Sequence, residues 1–402
     1  MSIPQTGGGP IEHHDQLAEH LAEGCKPKED WRIGTEHEKF GFYLGSHAPV
    51  PYEGDKGVHA LLVGLQRFGW KPVMEGEVII GLERNGANVS LEPGGQFELS
   101  GAPLLTMHDI CEETGQHLDE VKTVADELGL GFLGLGFSPV WTREQVPVMP
   151  KGRYVIMRNY MPKVGGLGLD MMLRTCTVQA NLDFSSEADM VAKFRMSLAL
   201  QPIVTALFAN SPFTEGKPNG FLSSRANVWT DTDADRTGLL DFVFEDGFDF
   251  ERYARYALDV PMYFAKRGDR YIDLAGRNFR DFIDGKIAEL PGERASLKDW
   301  ADHTTTLFPE VRLKTYLEMR GADAGPWSRL CALPALWTGL FYDDAALAAA
   351  WDLCKDWTAE DRARLRRDVP KMGLKAVVAG RYAQDVAKDM VAIAKAGLKG
   401  RA

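Results

Sequence analysis

The 402-residue chain has few cysteines, no excess of positive charge and no long apolar run. Its five cysteines are scattered and form no Cys-x-x-Cys pair, which argues against a zinc knuckle or a thioredoxin-like redox site. Its net charge of −11 argues against a nucleic-acid partner, whose binding depends on clustered Lys and Arg. Because no apolar run approaches the roughly 20 residues that cross a bilayer, we expect no membrane partner either.

The first residues lack two targeting patterns. They show neither the basic and then apolar pattern of an export signal nor the arginines of a transit peptide. Three consecutive glycines, Gly7, Gly8 and Gly9, give residues 1–10 the character of a short flexible leader. Scattered cysteines without a pairing pattern favour reduced thiols. We therefore expect a cytoplasmic protein, and residues 1–402 contain no linker that would divide them.

Segments with helical and strand periodicity do not alternate regularly, which argues against a doubly wound parallel sheet. Short strands instead follow one another across tight turns such as Pro93-Gly94-Gly95, as in antiparallel hairpins. We predict an α+β fold, with an antiparallel sheet and helices packed on one face. The predicted strands are 33–44, 78–82, 88–92, 96–100, 131–137, 173–183 and 311–320, and the predicted helices are 11–22, 58–68, 106–128, 187–209 and two within 359–398.

Two glutamates lie two residues apart in the first predicted strand. Glu36 and Glu38 therefore point to the same side of the sheet, roughly 6.6 Å apart along the chain, together with Phe40 and Phe42. Two carboxylates beside aromatic rings are costly to bury unless a cation lies between them. Oxygen-only ligands suit Mg²⁺ or Mn²⁺ rather than zinc. The alternative is a solvated strand face, since Glu-x-Glu is a common pattern.

A second polar face follows around the turn at residues 93–95. Gln96, Glu98 and Ser100 share one side of their predicted strand, while apolar residues alternate with them. Glu92 ends the preceding strand, directly across the turn. The sequence therefore predicts a sheet with one apolar face that packs on a core and one face lined by carboxylates.

Residues 173–183 alternate between polar and apolar side chains. A solvent-exposed strand face usually includes Lys or Glu, whereas the polar side of this strand is mostly uncharged. This row of hydrogen-bonding groups indicates that the strand lines a water-filled cleft. A purely structural role for the row is the alternative. Its members are Thr175, Thr177, Gln179, Asn181 and Asp183.

A fourth polar row is predicted in the strand at 311–320. Lys314, Tyr316, Glu318 and Arg320 would share one side of it. An ion pair within that face is the simple interpretation of Glu318 and Arg320. The alternative is a metal ligand beside a guanidinium, whose planar fork suits a phosphoryl group in transfer.

Together these segments resemble the plant- and proteobacterial-type glutamate–cysteine ligases. The resemblance runs from about residue 31 to residue 344 and is carried by residues 31–42, 91–102, 149–183, 210–219, 257–264 and 317–336. It implies a curved antiparallel catalytic sheet of the glutamine-synthetase type, which holds several Mg²⁺ ions between carboxylates and the phosphates of ATP. The chain has no Gly-x-x-x-x-Gly-Lys-Ser/Thr loop, which is consistent with phosphates held by metal ions instead.

The resemblance assigns roles to particular residues. It implies that Arg320 binds the γ-phosphate of ATP during transfer and that Arg320 and Arg153 take part in catalysis. Arg84, Arg158 and Lys163 are weaker candidates, for which surface or structural pairing is an equal alternative. The implied metal ligands are Glu36, Glu38, Glu92, Glu98 and Glu318, with Gln179 as a further candidate. The implied amino-acid pockets are lined by Arg153, Tyr154, Thr177, Gln179, Arg225, Trp229 and Tyr263.

The implied reaction joins the γ-carboxylate of L-glutamate to the amine of L-cysteine through a γ-glutamyl phosphate, as the first step of glutathione biosynthesis. A related ligase that uses another amine would share the same carboxylates, so it stays the main alternative. A nucleotide-binding regulator without catalysis is disfavoured, because the predicted carboxylates and Arg320 are all present. A scaffolding protein leaves the polar strand faces unexplained. Both a monomer and a homodimer remain open.

Plant members of this family carry two disulfide pairs, and the resemblance places one of them at Cys111 and Cys331. The positions of the other pair are occupied by Leu274 and Glu289, so that pair is absent. We therefore expect one regulatory disulfide, Cys111–Cys331, which favours the active enzyme. The missing pair and the missing transit pattern both favour a bacterial cytosolic member.

Overall fold

The computed structural model describes residues 9–400, which fold into a mixture of helices and strands. The helices of this part of the chain are α1 (Asp15–Ala22), α2 (Val58–Leu65), α3 (Met107–Leu128), α4 (Gly152–Tyr160), α5 (Gly168–Arg174), α6 (Glu187–Phe208), α7 (Ser224–Val228), α8 (Phe250–Asp259), α9 (Phe279–Ile283), α10 (Leu297–Thr304), α11 (Trp327–Leu330), α12 (Ala332–Phe341), α13 (Asp344–Asp352), α14 (Ala359–Met372) and α15 (Ala383–Gly400). The strands are β1 (Ile33–Tyr43), β2 (Lys71–Glu75), β3 (Val78–Arg84), β4 (Ala87–Leu91), β5 (Phe97–Ser100), β6 (Leu130–Leu133), β7 (Thr177–Leu182), β8 (Phe213–Thr214), β9 (Lys217–Pro218), β10 (Thr237–Gly238), β11 (Phe264–Arg267), β12 (Arg270–Asp273), β13 (Phe308–Pro309), β14 (Val311–Leu313), β15 (Leu317–Asp323), β16 (Val377–Val378) and β17 (Arg381–Tyr382).

The main sheet has nine strands within residues 9–400, in the order β14-β15-β7-β1-β5-β4-β3-β2, with β6 pairing to β1. Every neighbouring pair in it is antiparallel. The register sets Glu36 opposite Gln179 and Glu38 opposite Glu98. The predicted α+β fold with an antiparallel sheet is confirmed, and the register brings polar residues of separate strands onto one surface.

Helix α3 shows how local sequence sets the boundaries of an element. The side chain of Thr106 accepts a hydrogen bond from the backbone of Asp109, and the Asp109 side chain accepts one from the backbone of Thr106, which is a capping box. At the other end, Gly129 has a φ of 71°, a left-handed conformation that glycine adopts without strain. The predicted helix at 106–128 is therefore confirmed.

Helix α6 fills the core behind the sheet. It has 22 residues, is buried on nearly all sides and contacts β15, α14 and α15. Contrary to our expectation from the sequence, its length and composition alone would suffice to cross a membrane, but 78% of its apolar stretch is buried inside the protein. A helix that is apolar all round and covered by other elements is the ordinary core helix of a folded protein.

The single strand predicted at 311–320 is wrong. This segment is a hairpin of β14 and β15, because the chain bends at residues 314–316. Lys314 and Tyr316 therefore lie in the bend and do not share a strand face with Glu318. The alternating pattern did not reveal the bend because polar and apolar residues continue to alternate through it.

Other boundaries shift by a few residues. The segment predicted as a strand from residue 173 begins as the last turn of α5, and β7 starts at Thr177. Strand β6 ends at Leu133, earlier than predicted, and β2 was not predicted. Its sequence begins Lys71-Pro72, and a proline near the start of an edge strand weakens the strand pattern.

The predicted leader at 1–10 is described only at its end. Residues 1–8 lie outside the described residues. Gly9 and Pro10 are joined to the fold: the Gly9 carbonyl accepts a hydrogen bond from the Leu297 N–H at 2.9 Å, and Pro10 bridges to Ser296. The interpretation of the chain as a single catalytic body stays a prediction.

Helices α12 and α15 approach closely at two glycines. A Cβ added at Gly339 would lie 2.2 Å from the carbonyl oxygen of Ala394, and one added at Gly397 would lie 2.0 Å from that of Gly339. Such distances are far below van der Waals contact. The close approach of α15 to α12 therefore requires glycine at both positions.

We predict that Gly339→Ala lowers the free energy of unfolding by about 1–3 kcal/mol, because the new methyl group must push α12 and α15 apart. Urea unfolding followed by circular dichroism measures this. Gly115→Ala is the matched control: it also adds a methyl group inside a helix, but its Cβ would meet only the Trp327 Nε1 at 4.0 Å. That variant should gain up to about 1 kcal/mol of stability. Equal, small effects of both variants would contradict the close approach of the helices.

Candidate active site

A cavity lies on one face of the main sheet, enclosed by side chains from the central strands and from α4, α5 and α7. The space in it that is open to water-sized molecules is about 100 Å³. This is less than the roughly 300–1,000 Å³ typical of ligand sites, so side chains must move apart before a large ligand can enter. Its wall contains four of the predicted carboxylates, Glu36, Glu38, Glu92 and Glu98.

Glu36 and Glu38 line the cavity from β1. The Glu36 carboxylate accepts hydrogen bonds from Asn181 Nδ2 at 2.9 Å and from Gln179 Nε2 at 3.2 Å. Glu38 accepts one from the backbone N–H of Thr177 at 2.9 Å. Burial raises the pKa of both carboxyls, and neighbouring glutamates raise them further. Keeping both of these carboxyls ionised in the fold is therefore costly.

Glu98 and Glu92 add two further carboxylates. Glu98 accepts hydrogen bonds from the hydroxyls of Ser90 at 2.7 Å and Ser100 at 3.1 Å. The Glu92 side chain has no hydrogen bond or ion pair with any residue in the range 9–400. A Cβ on Gly94 would lie 2.3 Å from a carbonyl oxygen of α5, so glycine in this turn lets the end of β4 approach that helix.

Glu318 carries its own counter-charges. Its carboxylate lies 2.7 Å from Arg312 Nε, 2.7 Å from Arg320 Nη1 and 3.5 Å from Lys314 Nζ. Burial alone would raise the pKa of this carboxyl, but Arg312, then Lys314 and Arg320, hold it well below its usual range. Glu318 is fully buried and does not belong to the cavity wall.

Arg320 enters the cavity at an irregular point of β15. The register between β15 and β7 shifts between Met319 and Ala322, and such bulges re-aim side chains. The Arg320 guanidinium donates to Gln179 Oε1 at 2.8 Å as well as to Glu318. It therefore connects β7 with the buried carboxylate of its own strand.

Two buried arginines in the cavity wall have no carboxylate partner. Arg153 is 6% exposed and Arg225 is 3% exposed. Neither forms an ion pair within residues 9–400, and the Nε of each is buried without a hydrogen-bond acceptor. Buried arginines are rare unless they are paired. These two guanidiniums are therefore a strong sign that the cavity binds anionic groups such as carboxylates or phosphates.

Tyr154, Thr177 and Trp229 also line the cavity. The Tyr154 hydroxyl donates to the Leu91 carbonyl at 2.6 Å, and the Thr177 hydroxyl donates to the Ala322 carbonyl at 2.8 Å. Both hydroxyls are thus used within the fold. The indole N–H of Trp229 is buried without an acceptor in the described part of the chain, so it can still donate to a ligand.

Tyr263 does not lie in the cavity wall, contrary to the pocket role implied by the resemblance. Its ring stacks on the Arg236 guanidinium, 3.9 Å from the ring centre, and its hydroxyl donates to Asp233 at 3.3 Å. The resemblance alone did not distinguish a residue in the cavity wall from one packed behind it.

The weaker candidates also lie elsewhere. Arg84 forms a salt bridge to Glu120 on α3, and Arg158 and Lys163 are exposed. Asp183, at the end of the polar row on β7, pairs with Lys26 instead. Arg84 and Asp183 therefore have structural partners, and Arg158 and Lys163 lie on the surface.

Arg312 is a cavity residue that the sequence analysis missed. It is 2% exposed, and besides Glu318 it donates to the carbonyls of Thr305 at 2.7 Å and Leu307 at 2.8 Å. Its position follows from the pairing of β14 with β15, which sets Arg312 opposite Glu318. Recognising the hairpin would have been the only sequence signal for it.

The carboxylates of the cavity fit hard divalent cations. Their donor atoms are all oxygens, as Mg²⁺ prefers, and burial beside other glutamates raises the pKa of Glu36 and Glu38. Within residues 9–400 no three His, Cys, Asp or Glu side chains converge into a closed metal cage. Because Mg²⁺ keeps waters or phosphate oxygens in its shell, an open lining of carboxylates suits it.

A glutamate–cysteine ligase from Francisella tularensis, solved in complex with AMP, has a similar fold. The TM-score is 0.54 at 12% identity, over 92% of this chain and 78% of that chain. At this identity the likeness concerns the fold alone. The protein therefore shares the antiparallel-sheet fold of that ligase.

The chain belongs to glutamate-cysteine ligase family 2, whose family model matches residues 32–402. It is 62% identical over 96% of its length to the chloroplastic glutamate–cysteine ligase of Nicotiana tabacum, and 62% identical over 98% to that of Arabidopsis thaliana, spanning 74% of each. For ligase B of Oryza sativa subsp. japonica the identity is 58%, over 98% of this chain and 78% of the relative. The family prediction is confirmed. The chain is a ligase whose reaction is the ATP-dependent formation of γ-glutamylcysteine, the first step of glutathione biosynthesis.

The prediction of a cytoplasmic location is contradicted. The relatives from Nicotiana, Arabidopsis and Oryza, which this chain matches over nearly its whole length, are all named as chloroplastic. The prediction rested on the first residues, and targeting segments are separate from the fold that they accompany. The inference that the chain is a bacterial cytosolic member also used the missing transit pattern, so it loses that support.

Removing one charge from the carboxylate cluster should stabilise the metal-free protein. We predict that Glu38→Gln raises its free energy of unfolding at neutral pH, because burial and the neighbouring glutamates raise the pKa of Glu38 well above its usual value. The same change should abolish ligase activity. Thermal unfolding with and without Mg²⁺ tests this, and Mg²⁺ should stabilise the wild type more than the variant.

The advantage of Glu38→Gln should depend on pH. When folding raises the pKa of an acid, its ionisation lowers the free energy of unfolding. This loss is complete above the folded-state pKa and vanishes below the unfolded-state pKa. The advantage should therefore shrink as pH falls through that window. Glu127→Gln is the control, since Glu127 is an exposed partner of Arg67. A Glu38→Gln variant less stable than the wild type would contradict the account.

Proposed function

We propose that this cavity joins L-glutamate to L-cysteine through a γ-glutamyl phosphate, with ATP and Mg²⁺ held by its carboxylates and arginines. One observation carries the proposal: glutamates and buried arginines line the same cavity, and the two arginines have no carboxylate partner within the described residues. Carboxylates require cations, and unpaired arginines require anions. Two amino acids and a magnesium nucleotide together supply both. The residues concerned are Glu36, Glu38, Glu92, Glu98, Arg153 and Arg225.

The first step transfers the γ-phosphoryl group of ATP to the γ-carboxylate of glutamate, and ADP leaves. Such transfers depend mainly on positioning and on the neutralisation of phosphoryl charge. Mg²⁺, when bound, supplies part of that neutralisation. The cavity carboxylates would hold it, with Gln179 beside them. Arg320, which pairs with Glu318 in the fold, would turn to the γ-phosphate, and Glu318 would then be a further oxygen donor for the ion.

The second step forms the amide bond. The neutral amine of cysteine attacks the acyl phosphate, and inorganic phosphate leaves. Arg153 and Arg225 bind the α-carboxylates of the two amino acids, because a guanidinium holds a carboxylate through two parallel hydrogen bonds. The ring of Tyr154, whose hydroxyl is used by the Leu91 carbonyl, offers an apolar surface to a thiol side chain.

The test is phosphate release from ATP with Mg²⁺, glutamate and cysteine, omitting each in turn, with mass detection of the product. We expect release only with all four components and a γ-linked dipeptide as the product. Release with another amine in place of cysteine would favour the related carboxylate–amine ligase. No release under any combination would overturn the proposed function.

Arg320→Gln should lower kcat by about 10²–10³-fold, because it removes a preorganised positive charge from the transferring phosphoryl group. The fold should persist, since Arg312 still pairs with Glu318. Steady-state kinetics measures the effect, and unfolding confirms that the variant is folded. Arg381→Gln is the control: it removes an exposed guanidinium paired with Asp389 and should change kcat by less than about two-fold. Equal kcat values for the wild type and Arg320→Gln would exclude the phosphate role.

We further propose that Cys111 and Cys331 form a reversible disulfide that favours the active enzyme. All five cysteines of the chain are free thiols in the described structure. The thiols of Cys111 and Cys331 are hydrogen-bonding neighbours, and burial together with Cys111 raises the pKa of Cys331 to about 12. A bond between them would tie α3 to the start of α12.

Oxidation should therefore consume two thiols in the wild type and raise its activity, whereas Cys111→Ser should keep the same activity with and without reductant. Thiol counting under denaturing conditions and the ligase assay measure both effects. Cys354→Ser is the control, because Cys354 is buried away from this pair. Wild-type activity that does not change with reductant would contradict the regulatory role.

A further inference from the structure

Asp323 ends strand β15, three residues beyond Arg320. Its side chain is 1% exposed, and it does not line the cavity. A Cβ added at Gly136 would lie 2.2 Å from the Asp323 Cγ, so the neighbouring loop needs glycine to leave room for this carboxylate. An ionised side chain in so confined a position requires specific partners.

The Asp323 carboxylate accepts three hydrogen bonds from one region of the chain. Its Oδ2 accepts from the Ser211 hydroxyl at 2.7 Å and from the Asn210 N–H at 2.8 Å, and its Oδ1 accepts from the Ser223 hydroxyl at 2.7 Å. Burial raises the pKa of this carboxyl, and Arg225 and the three donors lower it.

Both serine hydroxyls continue the connection to helix α7. Ser211 Oγ accepts a hydrogen bond from the backbone N–H of Arg225 at 3.3 Å, and Ser223 Oγ accepts one from that of Ala226 at 3.1 Å. The carboxylate is thus linked, through one hydroxyl on each oxygen, to the backbone at the start of α7. This is the segment that carries Arg225, one of the two unpaired cations of the cavity.

A second link lies on the other side of Arg225. Its Nη2 donates to the backbone carbonyl of Arg320 at 2.9 Å. Arg225 is therefore fixed at both ends to β15, at its guanidinium by Arg320 and at its backbone by Asp323. The phosphate-binding and carboxylate-binding arginines are consequently held at a set spacing by one strand.

We infer that Asp323 is a positioning residue, which sets the place of Arg225 in the cavity and so the affinity for the amino-acid substrate whose carboxylate Arg225 binds. The inference rests on the proposed function. Asparagine at this position would keep the size of the side chain but present an NH₂ donor to groups that are themselves donors. The start of α7 must then shift, and Arg225 with it.

Asp323→Asn should raise the KM for glutamate or for cysteine at least ten-fold, and should lower kcat by a smaller factor. The KM for ATP should change less than the affected amino-acid KM. A purely structural role would reduce the amount of folded enzyme, and hence the maximal rate, without changing any KM. Steady-state kinetics with each substrate varied separates these results. If Asp323→Asn does not fold, Ser223→Ala is the substitute, because it removes one of the three hydrogen-bond donors to Asp323. It should raise the same amino-acid KM by a smaller factor.

Asp299→Asn is the matched control. Asp299 is another buried carboxylate with hydrogen-bonding partners, Ser296 and Arg267, but it lies on α10 outside the cavity wall. The Asp299→Asn variant should have a lower free energy of unfolding than the wild type, and the KM for each substrate should be unchanged. The double variant Asp323→Asn with Arg225→Met gives a second readout: if Asp323 acts through Arg225, adding Asp323→Asn to Arg225→Met should change the KM values by less than about two-fold.

The outcomes distinguish two failures. A wild type that forms no γ-glutamylcysteine would overturn the proposed function before any variant is compared. An active wild type, together with folded Asp323→Asn or Ser223→Ala whose KM values are all unchanged, would overturn the positioning role alone. A double variant whose KM rises by the product of the two single effects would also overturn the positioning role, because the two residues would then act independently.

Discussion

The site depends on mutual repulsion among carboxylates that the sheet register forces together. Glu36 and Glu38 share one face of β1, and pairing with β5 sets Glu98 opposite Glu38. Burial raises the pKa of Glu36 and Glu38, so the ionised cluster costs free energy that a sheet chosen for stability alone would avoid. In the proposed function a divalent cation with phosphate oxygens would relieve that cost, so binding it would stabilise the fold.

Positive groups around the cluster divide into two kinds. Arg312 and Lys314 neutralise Glu318 inside the fold, whereas Arg153 and Arg225 are left without carboxylate partners there. Arg320 belongs to both kinds, because it pairs with Glu318 and Gln179 in the fold and exchanges them for a phosphate in the proposed reaction. Ligand binding then substitutes one set of ion pairs for another, which limits the electrostatic cost of opening the small cavity.

Period-two patterning was enough to foresee the antiparallel sheet and the cavity face of β1, β5 and β7, because side-chain alternation is a local property. It did not foresee Arg312, which depends on a bend at residues 314–316 that leaves the alternation intact. The position of Tyr263 behind the wall is set by its contact with Arg236, a partner distant in sequence from any motif. The location was misjudged for another reason: targeting is decided outside the folded site.

The central claim is that the glutamate γ-carboxylate is phosphorylated before the amide forms. Glutamate labelled with ¹⁸O in its γ-carboxylate tests it most directly, since one carboxylate oxygen bridges to phosphorus in the acyl phosphate and leaves with it. The account predicts that the phosphate released during a turnover carries one ¹⁸O atom from glutamate. Unlabelled phosphate, formed together with γ-glutamylcysteine, would contradict it.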